Sequence, residues 1–118
     1  MAQYFLENAL KLHEEYTDTF EIPSKEEIDS LKINDLVKLI FTEENDNPEI
    51  MPERMWVKIT EINEDNFKGI LDNDPYYLKS IKCGDEVVFK SENIIDIYWD
   101  LKKILFSIIF LFLIYNYT

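Results

Sequence analysis

Glycine is nearly missing from this 118-residue chain, which holds only Gly69 and Gly84. A glycine-rich phosphate loop or dinucleotide fingerprint is therefore excluded, since each needs several glycines at short spacing. Histidine and cysteine occur once each, as His13 and Cys83. Zinc asks for four nitrogen or sulfur ligands, or three plus water, so this pair makes no zinc site. A single thiol forms no intrachain disulfide. A nucleophilic dyad of Cys83 and His13 has no local signature. The simpler expectations are a buried thiol, and a histidine at the core edge or on the surface. The opening MAQYFLEN has neither the basic start nor the long apolar run of a secretory leader, so the expected compartment is the cytoplasm.

Positive charge is scarce too. Twelve Lys and Arg stand against 24 Asp and Glu, a net charge of -12. All the acids and ten of the bases lie in residues 1–100, which therefore carry -14. Nucleic-acid binding rests on cations that neutralise phosphates, so nucleic acid is not an expected partner. A basic protein is, because long-range attraction speeds encounter. With 47% apolar and 14% aromatic residues, the chain has the material for a folded core rather than a disordered coil.

The apolar pattern sketches the elements. Phe5, Leu6, Ala9, Leu12, His13 and Tyr16 recur at helical spacing and predict a helix over 3–17. Ser24 with Glu27 three residues on is a capping box, which starts a short second helix over about 25–30. DLVKLIF (35–41), RMWVKITEI (54–62), NFKGILDN (66–73), GDEVVFK (84–90) and NIIDIYW (93–99) read as strands. NEDN (63–66) and SEN (91–93) are tight turns. TEENDNPEIMPE (42–53) holds five acids, two prolines and no base, and reads as a loop. Alternation along 54–62 puts Trp56, Lys58, Thr60 and Ile62 on one face and Val57, Ile59 and Glu61 on the other. The expected class is α+β: a small twisted antiparallel sheet, able to curl into a partly open SH3-like barrel, with the N-terminal helix over one face or end. Residues 1–100 make this single domain, and 101–118 stand apart as an apolar tail.

Candidate chemistry concentrates in LDNDPYYL (71–78). Counted from Asp72, an EF-hand loop would need Gly at position six and Glu at twelve; Tyr77 and Cys83 stand there instead. Asp72, Asn73, Asp74 and Pro75 are turn residues: Asp and Asn bond nearby backbone, and proline holds the residue before it extended. A metal-dependent hydrolase using Asp72 and Asp74 with Asp85 or Asp96 is the alternative. It requires those carboxylates to converge in one pocket. Of Tyr76 and Tyr77, one is expected in the core and one partly exposed. Exposed tyrosine beside acids is what binding surfaces use. Glu43, Glu44, Asp46 and Glu49 are the expected steering charges, with Tyr76 and Tyr77 as anchors. No catalytic residue, metal ligand or cofactor is expected.

One internal echo stands out. SLKINDLV (30–37) and SIKCGDEV (80–87) share Ser, an aliphatic, Lys, then Asn34 or Gly84, then Asp35 or Asp85, then Val. Asn and Gly tolerate positive φ, and the aspartates can bond nearby N–H groups. Two independent uses of one strand-entry turn explain this better than a duplication, which would call for more copies.

Met55-Trp56-Val57, Gly69 with Leu71-Asp72-Asn73-Asp74-Pro75, Lys82 with Gly84-Asp85-Val87, and Ile94-Ile95-Asp96, in that order, resemble the bacterial family known as domain of unknown function 2314. The likeness spans residues 3–97. It implies a small α+β domain with no established activity, and a setting of toxin and immunity proteins. It implies no catalytic residue.

The tail, ILFSIIFLFLIYNYT (104–118), carries no charge. As a helix its fifteen residues reach about 22 Å, short of a hydrocarbon core of roughly 30 Å. Lys102 and Lys103 give it a basic flank. Three readings stand: a non-native segment of the kind a frameshift in AT-rich DNA writes, a short membrane anchor, or part of the core. The expected function is a small acidic binding module, immunity-like, that takes a basic partner such as a toxin.

Overall fold

Two rows of alternating apolar residues, on strands far apart in sequence, close around one core. The computed structural model describes residues 3–44 and 46–116. The elements are β1 (Tyr4–Leu6), α1 (Ala9–Glu15), α2 (Lys25–Asp29), β2 (Leu36–Glu43), β3 (Glu53–Asn63), β4 (Asn66–Leu71), β5 (Glu86–Lys90), β6 (Ile94–Ile97) and α3 (Leu101–Asn116). All pairings are antiparallel, in the order β1-β2-β3-β4-β5, and β6 returns to pair with β2. β3 occupies one edge of β2. β1 and β6 therefore share the other, β1 against Phe41–Glu43 and β6 against Val37–Leu39. Only the 3-10 turn Ser91–Asn93 joins β5 to β6. So short a link between the two ends of the strand path forces the sheet to curl. The result is the nearly closed, SH3-like α+β barrel that the strand pattern anticipates.

Inside lie Val37, Leu39 and Phe41 of β2, Met55, Val57 and Ile59 of β3, and Phe67, Leu71, Val87, Phe89, Ile94 and Ile97. Phe67 and Phe89, a cross-strand pair, stack at 5.2 Å. Outside, α1 places Ala9 and Leu12 over Ile40 and Ile95, closed by Phe20 and Ile22. His13 edges this second cluster, its Nδ1 donating to the Phe20 carbonyl at 2.7 Å. The capping box on α2 is complete: Ser24 N–H donates to Glu27 Oε1 at 2.9 Å, and Glu27 N–H to Ser24 Oγ at 3.2 Å.

Four expectations need correction. The helix over 3–17 is a strand followed by a shorter helix. Tyr4–Leu6 covers the stretch of β2 edge that β6 does not reach, and Asn8 then caps α1, its Oδ1 accepting from Lys11 N–H at 3.1 Å. The loop over 42–53 is shorter, because β2 runs on to Glu43 and β3 begins at Glu53. The two-face assignment of β3 fails after Ile59. A bulge at Thr60 leaves both Thr60 and Glu61 exposed and turns Ile62 inward, opposite Phe67. Cys83 is exposed rather than buried, since in its turn Ile81 fills the core and the thiol faces out.

The echoed turns are one device used twice. Asn34 and Gly84 both take positive φ, 78° and 94°. Asp35 Oδ2 accepts from Lys32 N–H at 2.9 Å, and Asp85 Oδ2 from Lys82 N–H at 3.0 Å. Each turn docks on the sheet by the same two bonds. Asn34 N–H donates to the Ile59 carbonyl and Ile59 N–H to that of Asp35. Gly84 N–H donates to the Leu71 carbonyl and Leu71 N–H to that of Asp85.

The tail forms α3, which packs none of its described apolar side chains into the core. Leu101, Ile104, Leu105 and every residue from Ile108 to Tyr115 are exposed, by 41% to 81%. That rules against the core reading. The helix is held at its base: Asp100 Oδ1 caps Lys103 N–H at 2.7 Å, and Lys103 Nζ pairs with Asp35 at 2.7 Å. Residues 117 and 118 and the side chains of Lys102, Phe106 and Ser107 lie outside the described residues. Among those described, no helix is long and apolar enough to cross a membrane.

Candidate functional site

Segment 76–80 has no strand or helix to satisfy its backbone donors, and buried N–H groups need partners. Two glutamates supply them. Glu53, the first residue of β3, accepts from Tyr76 N–H (2.6 Å), Tyr77 N–H (3.0 Å) and Leu78 N–H (2.9 Å). Glu43, the last residue of β2, accepts from Lys79 N–H (3.0 Å), Ser80 N–H (3.1 Å) and Ser80 Oγ–H (2.8 Å). Five consecutive amides are thus clamped by the two carboxylates at the roots of the acidic loop.

Glu43 is only 8% exposed. It is therefore not a free steering charge, but the anchor of segment 79–80. Burial pushes its carboxyl pKa up. The Ser80 hydroxyl, the Ser80 and Lys79 amides and the Lys79 charge outweigh this and hold it below the usual glutamate range. Tyr4, on the neighbouring β1, moves the other way: burial raises its hydroxyl pKa and the charge of Asp85 adds to the rise.

The stretch 71–78 is a turn that seals the sheet. Asp72 N–H donates to the Trp56 carbonyl at 2.9 Å, and Trp56 N–H donates to Asn73 Oδ1. The Asn73 side chain thereby extends the β3–β4 ladder past the end of β4. Asp72 and Asp74 stay exposed, with Pro75 between them and the tyrosines. Tyr77 packs against the core, whereas Tyr76 is 80% exposed, their rings edge to face at 4.7 Å.

The clamp brings together what the sequence keeps about 30 residues apart. Glu44, Asp46 and Glu49 are exposed on the loop, where Glu44 and Asp46 with Asn47, Pro48 and Ile50 border a shallow groove of about 610 Å³ with Glu43 at its root. Asn47 shapes the loop, its Oδ1 accepting from Glu49 N–H at 3.0 Å. Met51 adds an exposed apolar side chain. Acids, Met51 and Tyr76 therefore share one end of the barrel. No pattern within a single sequence marks Glu53 as the partner of Glu43, because the clamp joins residues more than twenty apart.

The other singled-out acids do not join this end as a set. Asp85 accepts from Lys82 N–H within its turn, and Asp96 lies on β6 opposite Lys38. Among the described residues, no three His, Cys, Asp or Glu side chains form a group able to hold a metal ion.

The chain matches, over residues 2–106, the family described as "Uncharacterized protein conserved in bacteria (DUF2314)". The match runs past the resemblance at 3–97 and into the first turns of α3, so it takes in Trp99, Asp100 and Lys103. No curated protein and no solved structure matches the chain. With almost its whole length covered, the protein belongs to the DUF2314 family of bacteria.

Proposed function

We propose that this protein is a non-enzymatic binding module whose acidic barrel end takes a basic protein partner, in the manner of an immunity protein that neutralises a toxin. The observation that carries this reading is the double clamp. By tying 76–80 to Glu43 and Glu53, it sets Tyr76 beside a loop bearing Glu44, Asp46 and Glu49. An exposed aromatic anchor among like charges suits a basic partner: the charges speed encounter and the ring supplies buried area. In this reading the compartment is the cytoplasm, where a lone cysteine stays reduced.

The test is capture of partners from a bacterial host at low and high salt, with wild type beside two variants. Wild type is expected to retain a basic protein at low salt and release it at high salt. Reversing Glu44, Asp46 and Glu49 to Lys should abolish capture, and Tyr76→Ala should weaken it by roughly tenfold. Capture that is indifferent to all four substitutions would sink the reading.

A second reading, attachment to a membrane surface through α3, is favoured by one observation: all the described apolar side chains of the helix, which run without a break from Ile108 to Tyr115, are exposed. Pairing with one other helix would cover a single stripe, whereas lipid covers the full circumference. At sixteen residues it reaches about 24 Å, enough to embed without spanning. The full chain should float with phosphatidylcholine vesicles and a chain lacking 104–118 should not. Equal flotation, or none, removes this reading.

A further inference from the structure

At the opposite end of the barrel a cleft of about 680 Å³ opens between α2, the β3–β4 turn and the 3-10 turn. Its floor is core: Leu31, Phe67 and Ile94 are all buried. Ile28 and Ile62, half-buried, form the walls, and Leu10 extends the apolar surface outward. Its charged lining residues are Asp29, Glu64, Asp65 and Glu92, against one cation, Lys25. Lys25 is already matched, its Nζ lying 3.4 Å from Asp29. Asp65 also accepts from the Ser91 hydroxyl, which fixes the rim across the β3–β4 and β5–β6 connections.

We infer that this cleft is a binding site for a small amphipathic amine, with an apolar body on the Leu31–Phe67–Ile94 floor and an ammonium group among Glu64, Asp65 and Glu92. The size and the apolar floor are those of small-molecule sites, here with a charged rim, and the mouth of a barrel is a usual place for one. The floor offers an apolar ligand no competing hydrogen bonds. The rim decides the sign of the head group, since an anionic amphiphile would meet three carboxylates with no free cation among the lining residues. This site is distinct from the acidic loop end, because β3 runs the length of the barrel between them.

The experiment titrates the full chain with hexylammonium, hexanol and hexanoate at low salt, following isoleucine methyl shifts by NMR. Hexylammonium is expected to shift Ile28, Ile62 and Ile94, and to bind roughly five- to tenfold more tightly than hexanoate, with the gap closing at high salt. The double substitution Glu64→Lys and Glu92→Lys, both at the rim, should reverse the order and leave hexanol unchanged. Equal binding of all three compounds, shifts confined to α3, or no shift at millimolar ligand would each overturn the inference.

Discussion

Replacing Gly69 by alanine is expected to destabilise the fold by about 3 kcal/mol. A Cβ there would stand 2.5 Å from Val57 Cγ1 and 2.6 Å from the Lys58 carbonyl oxygen. Neither neighbour can yield. Val57 is fully buried with a stiff branched side chain, and Lys58 presents backbone. Gly69 sits opposite Ile59, where the β3 bulge begins, so the sheet bends tightly against it. Gly84→Ala is the control, since nothing lies within 4 Å of its Cβ and only the φ of 94° is strained. That costs about 1 kcal/mol. Urea unfolding of both variants separates the mechanisms, and a Gly69→Ala midpoint equal to wild type would contradict the packing account.

Glu43→Gln should cost about 2 kcal/mol at neutral pH, since three donors lose a charged acceptor that is itself almost buried. The pH dependence carries the second half of the prediction. Because the folded carboxyl is held below its ordinary value, its contribution is complete above the unfolded glutamate pKa. It is lost as pH falls through the lower folded value. Wild type should therefore lose stability in that acid window, and Glu43→Gln should lose less, so the two curves converge as pH drops. Parallel curves from neutral to acid pH would show that the clamp depends on shape rather than on charge. Loosening 79–80 should also weaken any partner held at the loop end, without altering the exposed acids themselves.

The parts of this protein legible in its sequence are those whose cause lies within a few residues. Ser24 and Glu27 specify a helix start because both bonds close over three residues. Asn34 and Gly84 specify their turns because positive φ is a property of the residue type. Strand alternation and the acidic balance are equally local, and together they reach the α+β class. The tyrosine pair was legible as one inner and one outer ring for the same reason.

What the tertiary structure decided depends on groups far apart in the chain. Tyr4–Leu6 is a strand because β2 has an open edge there, a stretch that β6, paired further along at Val37–Leu39, leaves uncovered. The bulge at Thr60 answers curvature that no residue of β3 imposes alone. Glu43 reads in sequence as one more acid of a charged loop. Folding brings it against the amides of Lys79 and Ser80, 36 and 37 residues away, and makes it a clamp. Composition determined that the surface would be acidic. Only the closure of the barrel decided which acids face solvent and which hold the chain, because a buried carboxylate needs donors that local sequence cannot supply.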